Sequence, residues 1–172
     1  AFDFPYHPTE RAPAALIVGT MARWSRFTKG HRDLIAAWEH VTARIPEAEL
    51  WIVGGGEAES ELRAQAAALS DSTRDHVRFW GRLSDTALDD LWRRARLFAL
   101  PSNREGFGLV YLEAMRAGLP CVASDADAGR EVVIDGQTGL VVPQRAEPIA
   151  EAVIRLLSEP DLAARMGAAG RI

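Results

Sequence analysis

Only one of the 172 residues is a cysteine, Cys121, so an internal disulfide is excluded. Cys121 lies in an apolar run over residues 120–124, which predicts a core position. No apolar run approaches the roughly 18 residues that a transmembrane helix needs, and the first residues do not have the pattern of a signal peptide. These absences favour a reducing, cytoplasmic setting.

Clustered metal ligands are also lacking. The histidines are scattered, and no His/Asp group has the spacing of metal ligands. Each histidine is therefore expected at the surface: His7, His31, His40 and His76. The composition, with 48% hydrophobic and 26% charged residues, is ordinary for a globular domain. The net charge of −4 argues against a general nucleic-acid binder.

What is present is an alternation of short apolar runs with helical patterns. The predicted strands lie at 15–19, 50–53, 77–81, 97–100, 120–124 and 139–143. The first is a short continuous apolar run, as expected for a strand buried on both faces. Ser84 is a candidate N-cap and Pro160 a candidate first helical residue, while 125–131 reads as a polar connection. The pattern predicts a doubly wound, Rossmann-like α/β domain over 13–172, with about six parallel strands and helices on both faces. Residues 1–12 are expected to be an entry segment.

The most distinctive stretch runs from Glu105 to Glu113. It follows the predicted strand at 97–100 and leads into a helix that ends before Gly118. The order strand, tight loop, helix leaves unpaired amides at the helix N-terminus, and Gly106 and Gly108 let another molecule approach the backbone. The amides and the helix dipole together predict an anion site.

Glu105 and Glu113 bracket this predicted anion site. If the intervening residues are helical, the two carboxylates are roughly 12 Å apart. Paired carboxylates of glycoside hydrolases are closer, at about 5 to 9.5 Å, so a grip on opposite ends of a long ligand fits better. The alternative is that Glu105 only complements the helix dipole and Glu113 is solvated. Against it, Glu113 is expected beside Leu109 and Leu112 on a buried stripe.

Other strand ends carry Gly-rich or basic loops. Because parallel strands end at one edge of a sheet, the loops at 20–29, 54–57, 81–84 and 103–107 are expected to converge on one crevice. The first loop carries Arg23, Arg26 and Lys29. The second, Gly54-Gly55-Gly56, lacks a dinucleotide fingerprint and a P-loop lysine, so it is either a ligand loop or a tight turn.

In combination these residues resemble the retaining glycosyltransferases of family 4, which have the GT-B fold. The resemblance is carried by the E-x7-E run at 105–113 and by the runs at 18–19, 29–31, 52–56, 77–83, 118–120 and 135–141. It implies that Glu105 contacts the donor sugar and Glu113 the ribose. It also implies diphosphate, sugar or nucleobase contacts from Lys29, Gly54, Gly81, Arg82, Gly106, Phe107, Gly108 and Leu109.

The activity implied by the resemblance is sugar transfer from a nucleotide diphosphate sugar with retention, with Lys29 and Glu105 as catalytic residues and no metal or other cofactor. Thr20 stands where the family usually has a phosphate-binding arginine, which Arg23 or Arg26 could replace. The chain resembles only the donor-binding half, so it is expected to bind its donor without turnover. The implied partner is an N-terminal acceptor domain, which would also supply any peripheral contact with the inner membrane surface.

Three alternatives stay open at this point. One is a GT-B-like nucleotide-sugar epimerase or phosphorylase, which product analysis would reveal. Another is a non-catalytic nucleotide-sugar-binding module, which would bind without turnover in the intact protein. The third is a flavodoxin-like protein, which flavin binding would indicate, although nothing in the sequence points to flavin.

Overall fold

The computed structural model describes residues 11–22, 29–103, 108–126 and 128–171. Within them lies one six-stranded sheet in the order β3-β2-β1-β4-β5-β6, with every neighbouring pair parallel. The strands are β1 Ala14–Val18, β2 Glu49–Val53, β3 Val77–Gly81, β4 Leu97–Leu100, β5 Cys121–Ser124 and β6 Gly139–Val142. The predicted doubly wound α/β fold is confirmed, and each strand lies within two residues of its predicted place.

Eight helices are described around the sheet. They are α1 His31–Arg44, α2 Glu59–Ala67, α3 Asp71–Arg74, α4 Asp85–Arg94, α5 Leu109–Arg116, α6 Gly129–Val132, α7 Ala146–Ser158 and α8 Pro160–Gly170. Right-handed crossovers place α1 and α5 on opposite faces, because their strands progress in opposite directions from the centre. Accordingly α1 packs against α7, and α5 packs against α8. Among the described residues, no helix combines the length and apolar character that a membrane crossing requires.

The central strands are apolar on both faces because helices cover both. All four residues of β4 are buried, as are the first four of β1. The edge strand β3 instead alternates between half-buried and exposed residues, because only one of its faces packs inward. Cys121 is fully buried as predicted, and burial raises the pKa of its thiol.

Arg11 is the first described residue and is part of the packed domain. It is only 5% exposed, and its guanidinium donates hydrogen bonds to the carbonyl oxygens of Trp92, Ala95 and Ala117 at 2.8–2.9 Å. Ala95 and Ala117 are the C-caps of α4 and α5. One cation therefore satisfies the unpaired carbonyls, and complements the negative dipole ends, of two adjacent helices.

Local predictions had mixed outcomes. Ser84 is the N-cap of α4, its hydroxyl accepting from the Ala87 amide, and Pro160 opens α8, both as predicted. The polar connection at 125–131 contains the start of a short helix, α6, which lacks the length to show an apolar periodicity in the sequence.

Candidate functional site

The strand order changes direction between β1 and β4, which are neighbours in the sheet but far apart in the chain. Because the connections that follow these strands turn to opposite faces, a crevice opens at their carboxyl ends, the usual ligand site of such sheets. We call this region the switch-point crevice. Its described borders are residues 19–22 and 29–31 on one side and residues 101–103 and 108 on the other.

The N-terminus of α1 forms one wall of the crevice. Gly30 is the N-cap, with a left-handed φ of 80°. A Cβ placed on Gly30 would lie 2.3 Å from the carbonyl oxygen of Pro101, so only glycine allows this approach of the helix start to the end of β4. The half-buried Lys29 directly precedes this cap, which places the chain's only lysine beside the positive end of a 14-residue helix.

His31, the first residue of α1, is buried, so the expected surface position is wrong. Its side chain is 1% exposed, and its Nε2 has no hydrogen-bond partner among the described residues. Burial, and next the charge of Lys29, lower the pKa of His31 from 6.5 to about 4, which keeps the ring neutral at physiological pH. The sequence feature that could have indicated this burial is the run Lys29-Gly30-His31, in which the histidine directly follows the glycine N-cap.

The Gly-rich loop after β2 interlocks with the loop after β1. A Cβ on Gly54 would lie 2.1 Å from the Gly19 carbonyl oxygen, and one on Gly56 would lie 2.2 Å from that of Met21. Backbone hydrogen bonds join the same segments, from Gly19 N to Val53 O and from Met21 N to Gly55 O. Close backbone packing therefore accounts for two of the three glycines, which favours the tight-turn interpretation.

Gly81 and Arg82 follow β3 and extend this edge. Gly81 has a φ of 68°, its carbonyl oxygen accepts from the Gly54 amide at 2.8 Å, and open space surrounds the position of a Cβ. Arg82 is exposed, and its Nε lies 3.4 Å from the Cβ position of Gly55. The structure thus brings the predicted residues Gly54, Gly81 and Arg82 together at consecutive strand ends.

Helix α5 forms the opposite wall. Its N-cap Gly108 has a left-handed φ of 65°, and the helix begins at Leu109. The Tyr111 hydroxyl donates to the Leu100 carbonyl oxygen, and its ring packs edge-on against Phe98 at 5.7 Å between ring centres. These contacts hold the first turn of α5, with its unpaired amides, above the end of β4.

The expected buried stripe on α5 is wrong. Leu109 and Leu112 are exposed, at 65% and 51%, because the buried face of the helix is Tyr111, Ala114 and Met115. Glu113 is exposed and is the fifth residue of α5, about 6 Å along the axis from Leu109. The 12 Å estimate assumed a helix from Glu105 to Glu113, whereas α5 begins at Leu109. Glu105 lies outside the described residues, so its separation from Glu113 stays a prediction.

Glu113 borders a pocket of about 310 Å³ between α4 and α5. Asp85, Asp89 and Arg116 line it together with the apolar side chains of Leu88 and Trp92. Asp85 is the first residue of α4, three residues after Arg82. The pocket that Glu113 lines therefore lies next to the start of α4, where the β3–α4 loop ends.

Arg23, Arg26, Glu105, Gly106 and Phe107 lie outside the described residues, so their assigned roles stay predictions. Among the residues that the structure does describe, no group of three or more His, Cys, Asp or Glu side chains is arranged to hold a metal ion. Described features that suit an elongated anion are the two helix N-termini and Lys29. The carboxylates that line the pocket between α4 and α5 can accept hydrogen bonds from hydroxyl groups.

Comparison with known proteins agrees with this geometry. The family profile described as glycosyl transferases group 1 matches residues 8–172. A phosphatidyl-myo-inositol mannosyltransferase of Mycolicibacterium smegmatis is 40% identical over 146 residues, which are 84% of this chain and 36% of that protein. A GDP-mannose-dependent monoacylated alpha-(1-6)-phosphatidylinositol monomannoside mannosyltransferase of Corynebacterium glutamicum is 39% identical over 151 residues, 83% of this chain and 38% of that protein.

Among solved structures, Staphylococcus aureus TarM in a complex containing UDP superposes with a TM-score of 0.84. It is 23% identical, and the match covers 98% of this chain and 33% of that protein, which supports the fold alone. The chain spans less than half the length of these three proteins.

Proposed function

The chain belongs to the glycosyl transferases group 1 family, and we propose that it is the donor-binding half of a retaining glycosyltransferase that uses a nucleotide diphosphate sugar. One observation carries the proposal. Lys29 and the N-termini of α1 and α5 border the switch-point crevice, and their charge and dipoles favour an extended anion there. The pocket lined by Glu113, next to the start of α4, would supply acceptors for the hydroxyls of a ribose.

The first candidate donor is GDP-mannose. The supporting observation is the 39% identity with a Corynebacterium glutamicum enzyme whose name specifies that donor. The runner-up is a UDP-sugar, because a structural neighbour of lower identity has been solved with UDP. Arg82 and the backbone after Gly81 would lie against the nucleobase and decide between the two.

In this proposal the protein stabilises the leaving diphosphate. Breaking the bond from the sugar to the phosphate leaves negative charge on the phosphate oxygens, and prearranged donors lower the energy of that charge. Lys29 would contribute a cation and the first amides of α5 would contribute dipoles. Glu105 would contact the sugar, and Arg23 or Arg26 would supply the guanidinium that Thr20 lacks.

An N-terminal acceptor domain would complete the cleft. The mycobacterial and corynebacterial relatives, whose names specify phosphatidylinositol-based acceptors, are more than twice as long as the matched segments. We assign acceptor binding, and any peripheral contact with a membrane surface, to that missing half. An epimerase, a phosphorylase or a non-catalytic sensor built on this domain would share the donor site and differ in the products of the intact protein.

The test is isothermal titration calorimetry of this chain with guanosine, GMP, GDP, UDP and ADP. We expect GDP to bind more tightly than GMP or guanosine. Replacing Lys29 by alanine removes one charge-assisted hydrogen bond, worth roughly 1.5–3 kcal/mol, and should weaken GDP about ten- to hundredfold. Arg44→Ala, an exposed cation at the far end of α1, is the matched control and should not change binding. Equal affinity for guanosine and all three diphosphates would overturn the proposal.

A further inference from the structure

His31 has an unexplained buried polar atom beside the switch-point crevice. Buried polar atoms in folded proteins almost always have a hydrogen-bond partner, and leaving one unpaired destabilises the fold. Nε2 of His31 nevertheless has no partner within the part of the chain that the structure describes, although the residue is 99% buried. An apolar side chain at this position would avoid that cost. A hydrogen-bond partner from a bound ligand would explain why a histidine is present instead.

The position of the ring identifies where that partner would come from. Cε1, the atom next to Nε2, lies 3.8 Å from the point where a Cβ on Gly19 would sit, and Cγ of Lys29 lies 3.6 Å from the same point. The imidazole edge and the lysine stem therefore lie side by side at the carboxyl end of β1. Gly19 leaves open the space between them, which is the floor of the crevice. A ligand on that floor would lie beside Cε1, the atom bonded to Nε2.

The surroundings select the chemistry of the partner. Lys29 and the N-terminus of α1 both favour negative charge at this point. The ring itself is kept neutral by burial and by the Lys29 charge, with a pKa of about 4, so it can donate from only one nitrogen. An anionic oxygen is the complement of a neutral N–H placed beside a cation and a helix N-terminus.

We infer that His31 Nε2 carries a hydrogen and donates it to a phosphate oxygen of the diphosphate, which makes His31 a further binding residue of the donor site. The inference rests on the proposed function and adds a residue to it. Unlike Lys29, the neutral ring adds direction without adding a second charge at close range. It would fix which oxygen of the diphosphate points into the crevice.

Two substitutions separate hydrogen bonding from packing. His31→Phe keeps a ring and removes both nitrogens, whereas His31→Gln can place an amide N–H near the position of Nε2. We expect the phenylalanine variant to bind GDP about tenfold more weakly than wild type, and the glutamine variant to retain most of the affinity. Guanosine should bind all variants equally. His40→Gln, an exposed histidine on the same helix, is the matched control and should bind GDP as wild type does.

NMR of the wild-type protein gives a readout that does not depend on any variant folding. Two-dimensional spectra can correlate ring protons with ring nitrogens. Saturation with GDP should shift the resonance of Nε2 of His31, the nitrogen that carries the hydrogen in the neutral ring, and should leave the resonances of His40 unchanged. An unshifted His31, or a folded phenylalanine variant that binds GDP as wild type does, would overturn the inference and leave the proposed function standing. If wild type binds none of the nucleoside diphosphates, the proposed function itself fails.

Discussion

At the scale of single residues, the first prediction concerns Arg11, which is buried against the C-terminal ends of α4 and α5. Replacing it with methionine retains the apolar stem and removes every donor, so three buried carbonyl groups lose their partner. We expect a loss of about 2–4 kcal/mol in the free energy of unfolding, measured by urea denaturation. Arg44→Met, at the exposed C-terminus of α1, should cost less than about 1 kcal/mol. Equal losses would mean that the Arg11 contacts contribute nothing specific.

His31 gives a second prediction, in the pH dependence of stability. Its folded pKa is about 4 and its unfolded value is 6.5, so between these values the unfolded chain binds a proton that the folded chain does not. Stability therefore falls as pH decreases through this window, and His31→Phe should remove that contribution. Between pH 7 and pH 5 the variant should gain about 2 kcal/mol relative to wild type.

The comparison between variant and wild type is needed because neighbouring carboxyl groups titrate nearby. Burial raises the pKa of Asp33, and a hydrogen bond from the Ser70 backbone lowers that of Glu39. Both contributions are common to the two proteins and cancel in the difference. His40→Gln should follow the wild-type curve. A pH-independent difference between His31→Phe and wild type would show that His31 has the same pKa in the folded and unfolded states.

At the scale of elements, the interlocked loops make a prediction about glycine. Gly54 and Gly81 both have positive φ, at 126° and 68°, but a Cβ on Gly54 meets the Gly19 carbonyl oxygen whereas one on Gly81 meets open space. Gly81→Ala should cost about 1–2 kcal/mol for the left-handed conformation alone. Gly54→Ala should cost roughly 1–3 kcal/mol more, because a backbone has to move.

Denaturant unfolding of the two glycine variants tests this. If the losses are equal, the loop after β1 can shift without penalty, and the close packing of the two loops does not define the crevice. A larger loss in Gly54→Ala together with weaker GDP binding would tie the geometry of the binding site to this backbone contact.

Strand positions were predictable because the relevant signals are local. Residues 77–81 and 97–100 are apolar runs closed by Gly81 and Pro101, and both strands were predicted with their observed bounds. The buried face of α5 was not, because Leu109, Leu112 and Met115 are equally apolar. Which of them packs inward depends on the contact of α5 with α8, which is a tertiary contact and cannot be read from the local sequence.

The candidate site was predictable in part for the same reason. Gly54, Gly81, Arg82 and Lys29 were predicted at one edge because parallel topology alone places their loops there. Burial of His31 followed from the close approach of Gly30 to Pro101, more than 70 residues away in the chain. A contact between residues so far apart cannot be predicted from the spacing of residues along the sequence.

At the scale of the whole molecule, the proposed function assigns the donor site to this chain and the acceptor site to a further domain. We expect the isolated chain to bind GDP or another nucleoside diphosphate and to transfer no sugar, because the relatives that it matches are more than twice as long as the matched segments. Incubation with GDP-mannose and a phosphatidylinositol acceptor, followed by mass spectrometry, checks this. Transfer by the isolated chain would show that the acceptor half is dispensable.

The two glutamates then distinguish the ends of the ligand. Glu113 lines the pocket beside the β3–α4 loop, the proposed nucleoside end, so Glu113→Gln should weaken GDP and GDP-mannose by similar factors. Glu105 is proposed to contact the sugar, so Glu105→Gln should weaken GDP-mannose while leaving GDP nearly unchanged, and should reduce turnover when the acceptor half is present. Calorimetry of both variants with both ligands decides the matter. If each variant loses the same affinity for the two ligands, Glu105 does not contact the sugar, and its remaining role is to complement the dipole of α5.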